Sequence, residues 1–467
     1  MATSIRAAAE RTVVFSLAAI FIVQQLTHVE LLLYPLGGLA FLAIALALPR
    51  LKGISKWLAT GFMAGGVLLM LLQKADVRLW FESAGINATL VTLFVFAPLF
   101  GIPVRLPAYV AALRHFYEKS VKSKAVMFTG TQLLTQIMGA FINVGSISVV
   151  YHLAFVKPHA SGAARLLAAA MNRGFGGAIM WSPYFAAMAL VTSALSLRWT
   201  SILPYIIGLS LLSLLISMVV SRRELWCSEQ NDSDMDTERE AEEVRPAPVG
   251  NLSDRASFPF GLAAYLVLAI GAILLLEWLL ELPMVLITCL GAVLIPLLWC
   301  AAKGAMDTYR QGIANHISVT LPALQKEITL FLAAGFFSGS IRSTGFGAYV
   351  PELLEKLPVP LWLAFTLFTV LLIMATSWIG LHPIVPVTIL ATGIDPAAVG
   401  LSSAYFAVLL LGSWGLSNPI SPASAVNHLL AGLQNKTAME MARPNYAYAL
   451  WMAAALVLYL ALWRILL

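Results

Sequence analysis

The stretch Gly412-Ser413-Trp414-Gly415-Leu416-Ser417-Asn418-Pro419-Ile420-Ser421-Pro422 decides how this chain is read. It interrupts an apolar run, 400–430, long enough to cross a membrane, where about 20 apolar residues suffice. An unbroken helix carries such prolines poorly, because each removes a backbone donor and clashes with the carbonyl one turn back. The run is therefore predicted to be a broken span. A second stretch matches it: Gly174, Gly176 and Gly177 precede Trp181-Ser182-Pro183, and Ser182-Pro183 lies 236 positions before Asn418-Pro419.

Working outward, the match widens. At an offset of 237, Thr92-Leu93-Phe94 meets Thr329-Leu330-Phe331, and Ala97, Phe100 and Arg105 meet Ala334, Phe337 and Arg342. Phe128-Thr129 meets Phe365-Thr366, while Ile142, Ile147 and Val150 meet Ile379, Ile384 and Val387. Each match is a cheap apolar coincidence; one offset kept from Thr92 to Val150 is not. Duplicated halves in an apolar chain predict a site between the two copies, marked by glycine and proline at corresponding breaks.

Composition excludes the soluble classes. Of 467 residues, 60% are hydrophobic and 11% charged, with a mean hydropathy of +0.85; soluble domains run nearer 45–50% and about 25%. The apolar run after Arg6 and Arg11 has no cleavage signature and reads as a first span. Cys227, Cys289 and Cys300 make no disulfide framework. The net charge of +6 sits in loops, a topology signal rather than a nucleic-acid footprint.

Spans are predicted at 12–27, 30–49, 57–73, 85–104, 174–196 and 200–221, then at 258–279, 281–301, 327–345, 400–430 and 446–466. Two further stretches, 126–155 and 359–393, are broken midway by Asn143-Val144-Gly145-Ser146 and Gly380-Leu381-His382-Pro383. They read as re-entrant hairpins, since irregular backbone at that depth must be buried in protein or line a cavity. With the amino terminus inside and the carboxyl terminus outside, only Lys74, Arg78, Arg198, Arg342, Lys356 and Arg464 fall outside, leaving 29 − 6 = 23 Lys and Arg within. The expected fold is all-α and polytopic, about eleven transmembrane helices plus two re-entrant hairpins. An extra amino-terminal helix (1–28) precedes repeat 1 (29–223), an acidic cytoplasmic linker (224–256) with ten of the 23 acids, and repeat 2 (257–467). Five spans per repeat invert the second copy. Segments 106–124 and 303–324 suit amphipathic helices at the inner surface, with a shorter outer counterpart at 347–358.

The chemistry is expected at the four breaks. An interrupted helix exposes unpaired N–H groups and a partial positive charge at its new amino end, suited to a carboxylate or oxyanion. The candidate substrate residues are Asn143, Gly145, Ser146, Ser182, Pro183, His382, Pro383, Ser417, Asn418, Pro419 and Ser421; an ion would be held by Asn143, Ser148, Gly177, Gly380, Gly415 and Asn418. His382 is a titratable group at membrane depth, able to meet an anion or carry a proton. Arg173 is expected to anchor its span at the inner interface, and Arg105 and Arg342 to end theirs. No Walker-type loop, metal-ligand cluster or nucleophile–base pair appears, so no cofactor or metal is expected and energy would come from a gradient.

In layout the chain resembles the ion transporter superfamily of divalent anion/sodium symporters and citrate and arsenite permeases. The resemblance spans nearly the whole chain: one extra span, then two inverted repeats of three spans, a hairpin, a broken span and a final span. In the divalent anion symporters each hairpin tip carries Ser-Asn-Thr, which helps bind substrate carboxylate and sodium. The tips here read Ile142-Asn143-Val144-Gly145-Ser146 and Gly380-Leu381-His382-Pro383, so the carry-over is Asn143 alone. The resemblance implies an elevator mechanism on a dimeric scaffold. The expectation is a secondary transporter of a small anionic solute in the inner (plasma) membrane, coupled to sodium or protons, in contact with membrane lipid and not with nucleic acid. An efflux permease or flippase for an oxyanion or lipid-linked phosphate stands as an alternative, as does a polytopic enzyme acting on a lipid.

Overall fold

In apolar surroundings every backbone N–H and C=O must be bonded within the protein, which favours helices throughout. The computed structural model describes residues 2–120, 123–155, 161–226, 259–280, 282–345, 347 and 349–466, and among these there is no strand; the predicted acidic linker lies outside them from residue 227 onward. The first half runs α1 (Ala2–Thr27), α2 (Leu33–Ala47), α3 (Gly53–Leu72), α4 (Val77–Gly85), α5 (Ala88–Phe96), α6 (Pro107–Ser120), α7 (Lys124–Ile142), α8 (Gly145–Ala154), α9 (Ser161–Trp181), α10 (Ala186–Ala194) and α11 (Trp199–Trp226). The second half runs α12 (Phe260–Leu280), α13 (Met284–Ala302), α14 (Met306–Asn315), α15 (Leu321–Ala323), α16 (Gln325–Arg342), α17 (Tyr349–Leu354), α18 (Leu361–Trp378), α19 (Ile384–Gly393), α20 (Ser403–Ser417), α21 (Ala425–Gln434), α22 (Ala438–Ala442) and α23 (Tyr446–Leu466). Short polar residues start several of them: Asp76 accepts from the Leu79 N–H, Ser123 from Val126 and Ser402 from Tyr405, each satisfying a donor the helix leaves free.

Among the described residues eleven helical runs are long and apolar enough to cross a membrane. The number is the expected one but the membership differs. The runs 124–142 and 361–378, read as hairpin arms, qualify, whereas 325–342 qualifies only together with 306–323 across a 58° bend, which would make a twelfth span, and 403–434 is broken into two shorter helices. Three boundaries also depart from expectation. The span read at 174–196 begins instead at Ser161; its first half holds Arg165, Asn172 and Arg173, of which Asn172 and Arg173 are buried, Asn172 donating to Asn427 and Arg173 to Asn445, Ser217 and Ser221. The span read as continuous over 85–104 is broken at Ile86-Asn87, between α4 and α5. The segment 303–324 does not simply lie flat: it bends by 58° into α16, and His316 is buried with its Nε2 against the Val95 carbonyl at 2.8 Å.

Helix boundaries recur at the sequence offset. Shifting α7 by 237 gives 361–379, and α18 is Leu361–Trp378; the break at Asn87 falls on Leu324, where α15 meets α16. Counterparts also touch: α5 packs on α16, α9 on α20 and α11 on α23, while α8 meets α21 and α10 meets α19. Phe94 stacks on Phe331, its match, with centroids 5.5 Å apart and planes at 27°.

The α9–α20 crossing is the closest of these contacts. A Cβ placed on Gly176 would sit 2.5 Å from the Gly415 carbonyl oxygen, and one on Gly415 would sit 2.6 Å from the Gly176 oxygen. Backbone meets backbone, so no side chain can rotate away. Small residues let apolar helices approach closely enough for dispersion to hold them. We expect Gly176→Ala or Gly415→Ala to cost roughly 3 kcal/mol, at the upper end for overpacking, and to lower the thermal unfolding midpoint in detergent. Gly130→Ala, where a Cβ meets nothing within 4 Å, should leave it unchanged or higher.

Candidate functional site

At the first tip the chain turns back on itself. Asn143 adopts φ 54°, ψ −137° and Val144 φ −56°, ψ −27°, close to a type II′ turn, in which the first central residue prefers glycine. The turn reverses direction: a Cβ on Gly139 of α7 would lie 3.5 Å from Ser146 Oγ of α8. The turn closes through the Asn143 carbonyl, which accepts from Ser146 N–H at 3.0 Å and Ser146 Oγ at 2.7 Å. Asn143 Oδ1 accepts from Val144 N–H at 2.8 Å. Ser146 is thus spent on its own turn, while Asn143, half-buried, faces a cavity.

That cavity is small, about 20 Å³, room for about one water molecule. Leu93, Phe94, Ala97 and Pro98 line one side; Asn143, Tyr184, Phe185 and Ala186 line the other. The amino end of α10 therefore opens onto it at Ala186, with the partial positive charge such an end carries. Tyr184 is buried between Phe100 (4.3 Å) and Phe141 (5.2 Å), and its hydroxyl has no hydrogen-bond partner, an exception that needs a reason in a folded protein. Arg105 is near: its Nη2 would lie 3.4 Å from a Cβ on Gly145. It ends a short helical turn as expected, but its guanidinium reaches the tip.

The break after α9 is held shut. Ser182 Oγ donates to the Ala140 carbonyl at 2.8 Å and accepts from Tyr184 N–H at 3.2 Å, tying Pro183 and its neighbours to α7. Trp199 Nε1 donates to the freed Trp181 carbonyl at 3.1 Å. Gly177 packs on Gln136, whose Oε1 would be 2.7 Å from an added Cβ. Ser148 sits three residues into α8, half-buried.

At the second tip, Gly380 (φ 93°) faces Ala423 in the other break. His382 Nδ1 accepts from Ile384 N–H at 3.2 Å, capping α19 across Pro383. An accepting Nδ1 carries no proton, so the ring is neutral here with its hydrogen on Nε2. The ring packs against Phe331 at 5.3 Å and Trp414 at 5.8 Å.

The α20–α21 break carries the densest polar network. Ser417 Oγ donates back to the Trp414 carbonyl at 3.0 Å, and Ser424 Oγ donates to Asn418 Oδ1 at 2.9 Å. Asn427 Nδ2 donates to the carbonyls of Pro419 (3.0 Å) and Ser421 (2.9 Å), while its Oδ1 accepts from Asn172 Nδ2 at 2.7 Å. Asn172 and Asn427 are both fully buried.

The structure thus brings Asn143 together with the Tyr184 turn, and His382 together with Ala423 and Trp414. The small cavity is lined by residues of the first pair and none of the second; Phe94, which lines it, stacks on Phe331, and Phe331 packs on His382. Gly415 serves the helix crossing.

No protein-family model and no curated protein matches the sequence. The fold is shared with a solved structure, the YdaH transporter of Alcanivorax borkumensis, described as having an unusual topology; the match has a TM-score of 0.55 at 16% identity and covers 88% of this chain and 97% of that one.

Four residues of consequence were not foreseen. Tyr184 follows Pro183 directly and could have been taken from its place in the break. Asn172 and Asn427 are polar residues within helical runs, the commonest sign of buried bonding. Asn87, fully buried, donates to the Phe331 carbonyl at 2.8 Å and marks the α4–α5 break. Replacing Asn427 by Leu strands two buried carbonyls and one amide, at about 3 kcal/mol in all. The thermal midpoint of Asn427→Leu should fall well below wild type, whereas Ser148→Ala should stay within about 0.5 kcal/mol.

Proposed function

We propose that this chain is a secondary active transporter for a small anionic solute, an organic carboxylate or an oxyanion, driven by sodium or protons. One observation carries the reading. One small cavity is lined by half-buried Asn143, by Tyr184, whose buried hydroxyl is unpartnered, and by Ala186 at the amino end of α10. Such donors bind oxyanions without a formal positive charge, and Arg105 adds one beside the tip. The likeness to a solved transporter supports transport over lipid enzymology, and the layout of the breaks supports the ion transporter superfamily.

The mechanism we infer is alternating access in which the tips and breaks move as a unit. Contact between counterpart helices, and the Phe94–Phe331 stack of matched residues, support two copies related by a two-fold axis, as a self-matched contact requires. With an odd number of spans per copy, that axis lies in the membrane plane. A cavity with room for one water cannot admit a carboxylate as it stands. Entry therefore needs α7–α8 to shift from α5, the displacement a mobile hairpin provides. In this scheme α1–α3 and α12–α13 form the scaffold and the contact with a second copy, in the inner (plasma) membrane with the amino terminus inside.

Function and stability should part company at the tip. Asn143 holds a positive φ at a cost of order 1–3 kcal/mol, and the Tyr184 hydroxyl pays a similar desolvation penalty. Asn143→Gly and Tyr184→Phe are therefore expected to keep or raise the unfolding midpoint while lowering uptake of the transported anion at least tenfold in proteoliposomes. Asn418→Ala should also abolish uptake. The substrate itself is sought by thermal shift against carboxylates and oxyanions, with and without sodium and across pH. Unchanged uptake in both tip variants, or indifference to every anion, would remove the site assignment.

A further inference from the structure

A second cavity, of about 440 Å³, lies far along α9 from the breaks, where its first turns meet the end of α11 and the segment joining α21 to α23. Its charged lining is Arg165, Arg173, Lys436 and Arg443 against Glu224 and Glu440. Both carboxylates are already engaged. Glu224 pairs with Arg165 at 3.3 Å on an exposed surface. Glu440 closes a capping box, accepting from Thr437 N–H at 2.8 Å and Thr437 Oγ1 at 2.7 Å.

The remaining cations have no such relief. Arg173 is 3% exposed and donates only to neutral acceptors: Asn445 Oδ1 (3.0 Å), Ser221 Oγ (2.8 Å), Ser217 Oγ (3.2 Å) and the carbonyls of Pro444 (3.0 Å) and Ser217 (3.4 Å). Its ring neighbours, Tyr448 at 5.0 Å and Phe128 at 5.9 Å, hold the guanidinium by cation–π contact. The hydrogen bonds fix the group but bring no carboxylate into contact with it, Glu224 acting only at longer range, and a buried charge wants a counter-charge. The side chains of Lys436 and Arg443 have no hydrogen bond or ion pair among the described residues. A roomy concavity with an excess of cations, one of them buried and rigid, is an anion receptacle.

We propose that this cavity binds a phosphate-type oxyanion, held by Lys436 and Arg443 in the field of Arg173. The proposal is independent of the transport site, because none of these residues lines the cavity at the tip. Phosphate can arrive free in solution or on a lipid headgroup, since basic pockets between spans on the inner side suit anionic lipids.

The test uses the purified full chain. In detergent, inorganic phosphate and pyrophosphate are compared with chloride at equal ionic strength; in nanodiscs, phosphatidylglycerol is compared with phosphatidylcholine. Binding joins α9, α11 and the α21–α23 segment, so an occupied site raises the unfolding midpoint, by roughly 2–4 °C for a chain of this size. Response to the salt alone assigns a free anion, response to the lipid alone a headgroup, and response to both the shared chemistry. The double variant Lys436→Gln/Arg443→Gln should lose the shift. Glu440→Gln preserves the capping box, which accepts glutamine, and removes the competing carboxylate, so it should tighten apparent binding several-fold. No shift in wild type from either source overturns the proposal. So does a Glu440→Gln protein that binds no tighter, or a folded double variant that responds like wild type.

Discussion

Wherever a helix breaks in apolar surroundings, the freed carbonyls and amides must find partners inside the protein, and that constraint shapes the rest of this structure. It is met chiefly by side-chain amides and indoles placed from other elements. Asn427, oriented by Asn172, takes the carbonyls of Pro419 and Ser421, and Trp199 takes that of Trp181. Asn172 reaches Asn427 and Asn87 reaches the Phe331 carbonyl across 255 and 244 positions, so the breaks at α20–α21 and α4–α5 are also places where the halves are joined. The glycine-on-glycine crossing of α9 and α20 brings them close enough for this exchange.

The satisfied breaks and the unsatisfied tip differ in kind. Ser146, Ser182, Ser417 and His382 spend their polar atoms on nearby backbone, holding shape. Asn143 and Tyr184 differ: Asn143 keeps a strained backbone although its Oδ1 accepts from the Val144 N–H, and Tyr184 keeps an unpartnered hydroxyl. Folding alone would favour glycine and phenylalanine there. Positions that cost stability and gain no contact are where function is paid for.

The same contrast separates the two cavities. In the proposed reading the tip offers an anion neutral donors and a helix end, with the Arg105 guanidinium beside them. The cavity at the start of α9 relies on full charges, one buried and two free, so a group bound there would be held by Coulomb attraction against an excess of cations.

The sequence by itself determined the class of structure and the places where it is interrupted. Hydropathy fixes helices, because only they saturate the backbone in hydrocarbon, and Pro183, Pro383, Pro419 and Asn143 mark their ends through backbone chemistry local to the residue. The break at Leu324, two residues after Pro322, falls between the segments read at 303–324 and 327–345, but the break at Ile86-Asn87, beside Gly85, was invisible within the run 85–104. So was the full length of α9, whose Asn172 and Arg173 look foreign to a span until their partners are known. Tertiary structure alone decided which buried polar side chains find partners across the halves, because those partners lie 255 to 272 positions away in the chain. Periodicity records which face of a helix is apolar; it holds no record of what stands opposite.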